Sequence, residues 1–501
     1  MGETGGFARF TRSTASRYFL ENHLSEMIQI QGRLWNRRLV YTLIIALGLL
    51  LAAGLGAAAA RLGENGGTVL LGVVALPVVG LLLFTNPGLG LYSITLTLPI
   101  EELIPGIGGA TGTRLLGMVV FAVWLGRKLF LLESWRPILR QPVILAGAAF
   151  LVLIFASNLW ADDASLVLVG LFSQVQLFFL LVMAYDLTRS WKQADLLARL
   201  LLISGLIACF FTLNQYFIEG AKRAGDGIAG GINYTASFLV TILPLAFYLL
   251  RSRRGSWLKF FSLLYIVLGT VAVTVTFSRT SYIFLALTVA AHYGQTIRAR
   301  SGRAWIVVLT LLAVALPFFL PGEAVSTRLQ SISPVVSQWL GSLEGNREVN
   351  DVRAYSWRVG LEMFRRDPLF GAGYNNYGTL FLTYQVDLPG SPQIFTDPRS
   401  PHSSFIGIAS ELGLAGILLW VALLGIAFRG LLRAGRALKQ AGEYDRYFLV
   451  QAIGFMLLLQ VLYGWALNTH MNKNFWLILG MAAVLSNLSR ASAGEEAEAV
   501  E

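Results

Sequence analysis

Charge is what this sequence has least of. Asp, Glu, Lys and Arg make up 13% of its 501 residues, about half the share of a soluble globular domain. A water-facing surface of the usual kind is therefore excluded for most of the chain. Cysteine is nearly absent as well. Cys209 stands alone inside an apolar run, which rules out an intramolecular disulfide and a Cys-rich metal site. The four histidines lack ligand spacing, so no metal is expected. No cleavable leader is evident, since the first 38 residues are polar and Arg-bearing and the first long apolar run starts near Leu39. The Arg17–Trp35 stretch fits an interfacial helix or a solvated tail. Internal repeats are missing too.

Hydrophobic residues are abundant, at 55%, with 51 glycines and a mean hydropathy of +0.63. That is the composition of a helical membrane protein, in which small residues let helices approach closely. A bilayer crossing takes about 20 apolar residues. Such runs lie at 39–60, 68–84, 88–104, 113–132, 142–160, 165–185, 195–217, 232–250, 258–277, 280–297, 303–321, 404–430, 447–468 and 473–489. The third is the weakest, because Pro87, Pro99 and Pro105 crowd it, and it reads equally as re-entrant. The expected fold is all-α and polytopic, with about 12–14 transmembrane helices.

The net charge of +11 would suit nucleic acid if it formed one patch. It does not. Cations concentrate in alternate short connections: Arg37-Arg38, Arg127-Lys128 with Arg136 and Arg140, Arg189 with Lys192, and Arg251 with Arg253, Arg254 and Lys259. They recur at Arg298, Arg300 and Arg303, then at Arg429, Arg433, Arg436 and Lys439. The intervening short connections are cation-poor, so the charge follows the positive-inside rule, with both termini cytoplasmic and membrane lipids as the surroundings. No nucleic acid partner is expected. The expected divisions are a cytoplasmic segment 1–38, membrane helices over 39–321, a large external loop over 322–402, the three C-terminal membrane helices over 403–489, and a disordered acidic tail over 490–501.

A loop of that length is usually functional. It holds a predicted amphipathic helix, Val352–Arg366, whose Arg353 and Trp357 share one face. Arg353 is expected to point inward beside an apolar stripe of Leu361 and Phe364, while Arg365 and Arg366 read as solvated and Arg358 stays a phosphate candidate. Arg279, in TFSRTSY, falls at the outer end of a span within a polar notch of Ser278, Thr280 and Ser281, where charge is costly and hence a functional candidate. Pro401-His402 marks the re-entry of the loop, with Ser403 or Ser404 able to cap the next helix. His470, in an outer turn, is the rival histidine. Lys222 and Arg223 add cations from another outer connection. Arginine pairs with phosphate and stays charged in a low-dielectric site, and histidine is the side chain best poised to take a proton near neutrality. Together they suggest a lipid-borne phosphate donor and a hydroxyl acceptor.

Four stretches, in order, resemble the O-antigen ligase/polymerase family of membrane glycosyltransferases: GGINYTASFLVTILPL with Asn233, FSRTSY with Arg279, RAYSWRVGLEMFRRDPLFGAGYNNY, and PHSSFIGIASELGLAG. The resemblance covers roughly residues 200–430. It implies a GT-C type fold in the bacterial inner membrane and transfer of a glycan from undecaprenyl diphosphate to a hydroxyl on the periplasmic face, inverting the anomeric centre without metal or other cofactor. It also implies that Arg279 and Arg353, with Arg358, hold the diphosphate, that His402 is the acceptor base, and that Trp357, Tyr374 and Asn375 shape the sugar site. Pro401-His402-Ser403 departs from the family's commoner His-Asn pairing, which bears on the acceptor. That acceptor would be a glycan repeat unit, the lipid A-core of lipopolysaccharide, or a protein hydroxyl. Two other readings compete: a flippase for lipid-linked oligosaccharides, which would call for repeats and midplane sites, and a peptidoglycan-type polymerase using an acidic loop residue such as Asp387 or Asp397.

Overall fold

The computed structural model describes residues 80–104, 111–252, 255–298, 352–388 and 395–498. The segment 1–38 with its expected interfacial helix, the runs expected at 39–60 and 303–321, most of 68–84, and the stretch 322–351 lie outside them. The described residues are mostly helical, with no strand among them, and divide into two units. In the smaller one, Arg127 closes the end of its helix, donating to the carbonyls of Phe84 at 2.7 Å and Thr85 at 3.0 Å and to Glu133 at 3.0 Å.

The larger unit carries everything below. Its helices are α1 (Gly88–Thr97, of which residues from Gly90 belong here), α2 (Gly112–Phe130, of which residues to Phe121 belong here), α3 (Arg136–Leu139), α4 (Pro142–Ala156), α5 (Ala164–Leu187), α6 (Trp191–Phe217), α7 (Ile232–Arg251), α8 (Ser256–Val275), α9 (Arg279–Arg298), α10 (Val352–Arg366), α11 (Tyr377–Asp387), α12 (Ser404–Gln440), α13 (Tyr444–Tyr463) and α14 (Lys473–Glu498). Seven helical stretches among the described residues, those of α4, α5, α6, α7, α8, α12 and α13, are long and apolar enough to cross a membrane. The chain is an all-α, polytopic membrane protein. The proline-crowded run is a short helix that gives way to a 3₁₀ turn at Leu98–Ile100, and the Pro99 carbonyl accepts the Ala229 N–H at 3.0 Å. At about 1.5 Å per residue it is too short to cross a bilayer on its own. Helix α14 continues to Glu498, so the described part of the acidic tail is helical rather than disordered.

Short connections make successive helices antiparallel, which sorts their ends onto two faces. One is tied together by Arg446 lying over the Trp191 ring, 5.2 Å from its centroid, and by Arg189 pairing with Asp186 at 3.2 Å. The other face, called here the loop face, carries α10 and α11. These two helices fold around an aromatic core of their own, in which Tyr355, Tyr377, Phe381 and Phe395 are almost wholly buried. The Phe381 and Phe395 rings meet at 5.5 Å, Arg366 lies 4.4 Å over the Tyr384 ring, and Tyr377 donates to the Ser356 carbonyl at 2.6 Å. Burial of that apolar area, at about 25 cal/mol per Å², is what orders an otherwise polar stretch.

The expected apolar stripe on α10 needs correction. Leu361 is exposed and Phe364 only half-buried, while Ala354, Tyr355, Ser356, Val359, Gly360 and Met363 are buried. The packed face uses small residues because α10 lies close against α12: a Cβ placed on Gly360 would sit 2.4 Å from Ile406 Cγ2.

Candidate functional site

The site is built at the start of α12, where the chain returns from the loop. Ser403 caps that helix, its hydroxyl accepting from the Ile406 N–H at 3.4 Å and donating to the Gly464 carbonyl at 3.2 Å. The Ser404 N–H donates to the Gly464 and Leu467 carbonyls at 2.7 and 3.1 Å, and its hydroxyl meets Thr469 Oγ1 at 3.2 Å and His470 Nδ1 at 3.0 Å. These bonds clamp the helix entrance to the connection between α13 and α14.

His402 sits just before the clamp, half-buried, with φ at +49°. A non-glycine residue held in the left-handed region marks a constrained position, histidine being among the types that adopt it more readily. Its N–H donates to Ser400 Oγ at 3.3 Å, and the same oxygen accepts from Asn468 Nδ2 at 2.5 Å. The Asn468 backbone is hydrogen bonded to the Tyr234 hydroxyl in the first turn of α7, and the Arg353 guanidinium acts on that hydroxyl coulombically. Three segments distant in sequence thus meet in one polar chain running from Tyr234 through Asn468 and Ser400 to His402, with Arg353 close enough to act on Tyr234 through its charge. Asn233, half-exposed, precedes Tyr234 in the same turn.

Arg279 and Arg223 form a second group on the loop face. Arg279 is the first residue of α9, at the positive end of that helix's dipole. Arg223 Nε donates to the Thr276 carbonyl at 3.2 Å, and the Ala224 N–H to the Val275 carbonyl at 3.1 Å, so Arg223 flanks the turn leading into Arg279. Lys222 beside it is exposed. On α10, Trp357 and Arg358 are half-buried. At about 100° per residue, Arg358 lies roughly 140° around the helix from Arg353, so the two guanidiniums do not share a face.

Other candidate residues are bonded into the surrounding helices. Tyr374 is fully buried, its hydroxyl bonded to Gln174 Oε1 at 3.1 Å and its N–H to Ser157 Oγ at 3.2 Å. Asn375 donates to the Leu166 carbonyl at 2.9 Å. Both fasten the loop to α5. His470 is 2% exposed. Burial holds its imidazole down to about 3, which keeps it neutral, and its carbonyl accepts from Trp476 Nε1 at 2.7 Å. Asp387, an acidic candidate, pairs with Arg366 at 3.4 Å.

Sequence reading missed Tyr234, Ser400, Asn468 and Glu411. Glu411 is 5% exposed and accepts the Tyr377 N–H at 3.1 Å, joining α12 to α11. The one available signal was the polar cluster Asn468-Thr469-His470 between apolar spans.

Residues 264–421 match the family model described as O-antigen ligase. The chain carries an O-antigen ligase family domain. It takes in Arg279, Arg353, His402 and Glu411, and membership implies glycan transfer of the ligase or polymerase type. A comparison with curated proteins gives no match.

Proposed function

We propose that this O-antigen ligase family protein transfers a glycan from undecaprenyl diphosphate to a hydroxyl acceptor on the periplasmic face of the bacterial inner membrane, as a metal-independent glycosyltransferase of the GT-C type. The observation that carries the reading is the polar chain from Tyr234 at the start of α7 through Asn468 of the α13–α14 connection to Ser400 and His402 at the entrance of α12, within reach of the charge of Arg353 on the loop helix. A base must reach its proton within hydrogen-bond distance and titrate near the working pH. His402, half-exposed and held by Ser400, meets the first need where buried His470 does not.

In this reading Arg353 and Arg279, with the positive end of α9, neutralise the diphosphate as it departs. His402 takes the proton of the acceptor hydroxyl, whose oxygen attacks the anomeric carbon from the opposite side. The new glycosidic bond forms as the bond to the diphosphate breaks, inverting the centre. Arg223 supports the cation group, and Arg358, on another side of α10, supports it less. The sugar contacts fall to Trp357, Asn233 and Tyr234 rather than to Tyr374 and Asn375.

The test is transfer by purified variants. His402→Ala and Arg279→Ala are each expected to lose transfer by about a thousandfold while expression stays near wild type. Wild-type product from His402→Ala would remove it from the mechanism. In a deletion strain, loss of long surface chains means polymerase, and long lipid-linked chains left unattached mean ligase.

A further inference from the structure

Glu411 is a charged residue that the reading above does not use. It stands about two turns, or roughly 10 Å, beyond the entrance of α12, and at 5% exposed it is too deep to meet a substrate. Among the described residues no cation pairs with its carboxylate. A buried charge without a counter-ion is costly unless backbone donors satisfy it. The donors are there. Its Oε1 accepts the Tyr377 N–H at 3.1 Å, and the Asn375 N–H is bonded to the same carboxylate. Asn375 is left-handed, at φ +64°, and Asn376 right-handed, at φ −91° and ψ −12°. That alternation turns neighbouring N–H groups inward and makes a nest for an anion. The nest is also the start of α11, where the helix dipole favours negative charge. An amide would serve less well, because it would aim a donor at one of the two N–H groups.

What the nest fixes is α10. Tyr377 gives its N–H to Glu411, and its hydroxyl donates to the Ser356 carbonyl at 2.6 Å. Ser356 lies beside Trp357 and one turn from Arg353. The Tyr377 ring also stands 3.2 Å from where a Cβ on Gly360 would lie, against 2.4 Å for Ile406 Cγ2 of α12. The ring is thus wedged where α10 and α12 approach each other. One residue binds α12 through its backbone and α10 through its side chain. Arg353 and His402 approach the polar chain from these same two elements, Arg353 on α10 and His402 just before α12. Their separation is therefore set by the link from Glu411 through Tyr377 to Ser356.

We infer that Glu411 is a positioning residue for transfer: its carboxylate holds the start of α11 and, through Tyr377, fixes the register of α10 against α12, which places the Arg353 guanidinium relative to His402. The word transfer rests on the roles given to Arg353 and His402 above. The placement of α10 stands on the nest and the Tyr377 link alone.

The test uses the full-length protein in phosphatidylcholine nanodiscs, with a glycan linked to undecaprenyl diphosphate as donor. Glu411→Ala is expected to lower kcat about a hundredfold, the cost of misplacing a group by about 1 Å, and Glu411→Gln, which keeps one acceptor, about tenfold. Tyr377→Phe keeps the ring and the N–H but drops the hydroxyl, and is expected to match Glu411→Gln. Acceptor KM stays unchanged in all three. Should Glu411→Ala fail to fold, the two milder variants carry the comparison. Residues that act through one another are not additive, so Glu411→Gln added to Arg353→Ala should lower kcat by about twofold at most. Placement is read separately, in a Cys209→Ala background, from the dipolar EPR distance between spin labels at Leu361→Cys and Met471→Cys. Both positions are exposed, the first on α10 and the second hydrogen bonded to the Asn468 carbonyl. The distance is expected to shift or broaden in Glu411→Gln and in Tyr377→Phe. A full tenfold loss on top of Arg353→Ala, or a distance unmoved in both variants, overturns the positioning role. If the wild type transfers no glycan, the glycan-transfer reading fails, and the distance alone decides whether Glu411 places α10.

Discussion

His402 and His470 lie on the same face and near the same serine pair, yet burial gives them opposite uses. Ser404 holds the His470 ring at 3.0 Å in an enclosed pocket with its imidazole pushed down to about 3. His402 stays partly exposed, with its backbone in a constrained turn. The buried ring has a thermodynamic signature. Its folded pKa lies below the ordinary value of 6.5, so the unfolded chain takes the proton first. The stabilisation is complete above about pH 6.5 and is lost as pH falls toward 3, at up to about 1.4 kcal/mol per pH unit. Thermal unfolding of the detergent-solubilised protein is thus expected to show an acid limb in this window, flattened in His470→Gln and unchanged in His402→Gln. An acid limb that survives His470→Gln would mean that the ring titrates in the folded state.

Helix α12 shows how two sequence blocks become one object. Its helical run is interrupted at Gly413, whose φ of +62° and ψ of −157° fall in a region that only glycine occupies readily. Into that break fits the segment after α10: the Leu414 and Ala415 N–H groups donate to the Pro368 and Leu369 carbonyls at 2.8 and 3.1 Å, and those of Ala372 and Gly373 donate to the Ser410 and Glu411 carbonyls at 3.0 and 2.9 Å. A Cβ on Gly413 would stand 2.5 Å from the Leu369 carbonyl, and one on Gly371, at φ +69°, 2.4 Å from Glu411. Gly413→Ala is expected to cost about 1–3 kcal/mol from backbone strain alone, with Gly371→Ala similar. Both should lower the apparent Tm and raise protease cleavage between α10 and α11. An unchanged Tm in both would mean that the segment does not dock into the kink. The helices themselves were legible from the sequence, because hydropathy and length are local properties: α10 covers the Val352–Arg366 range expected of it. Which face of α10 is buried was not legible. Apolar weight pointed to Leu361 and Phe364, whereas close helix approach selected Ala354, Ser356 and Gly360. The site was legible only in its charged and aromatic members. Tyr234, Ser400 and Asn468 matter through bonds spanning many residues, as in the link from Asn468 to Ser400, and no spacing rule reaches that far.

At the scale of the whole molecule, the proposal needs every cation of the site on one side of the membrane. Alternation of α4 to α9 and of α12 to α14 puts Arg223, Arg279, Arg353 and His402 on the loop face, with Arg189, Lys439 and Arg446 on the other. Cations in short cytoplasmic connections set orientation, whereas those on the loop face belong to a long connection or to helix ends, where charge does not govern insertion. The loop face should accordingly be periplasmic. Cysteine scarcity makes this measurable. Cys209 is fully buried and replaceable by alanine, leaving a background without thiols. Lys222 and Lys439 are both exposed, on opposite faces. In intact spheroplasts a membrane-impermeant maleimide is expected to label Lys222→Cys at once and Lys439→Cys only after permeabilisation. The reverse pattern would put the arginines and His402 in the cytoplasm, where a periplasmic acceptor cannot meet them. Labelling of both positions before permeabilisation would break the antiparallel order on which the two faces depend.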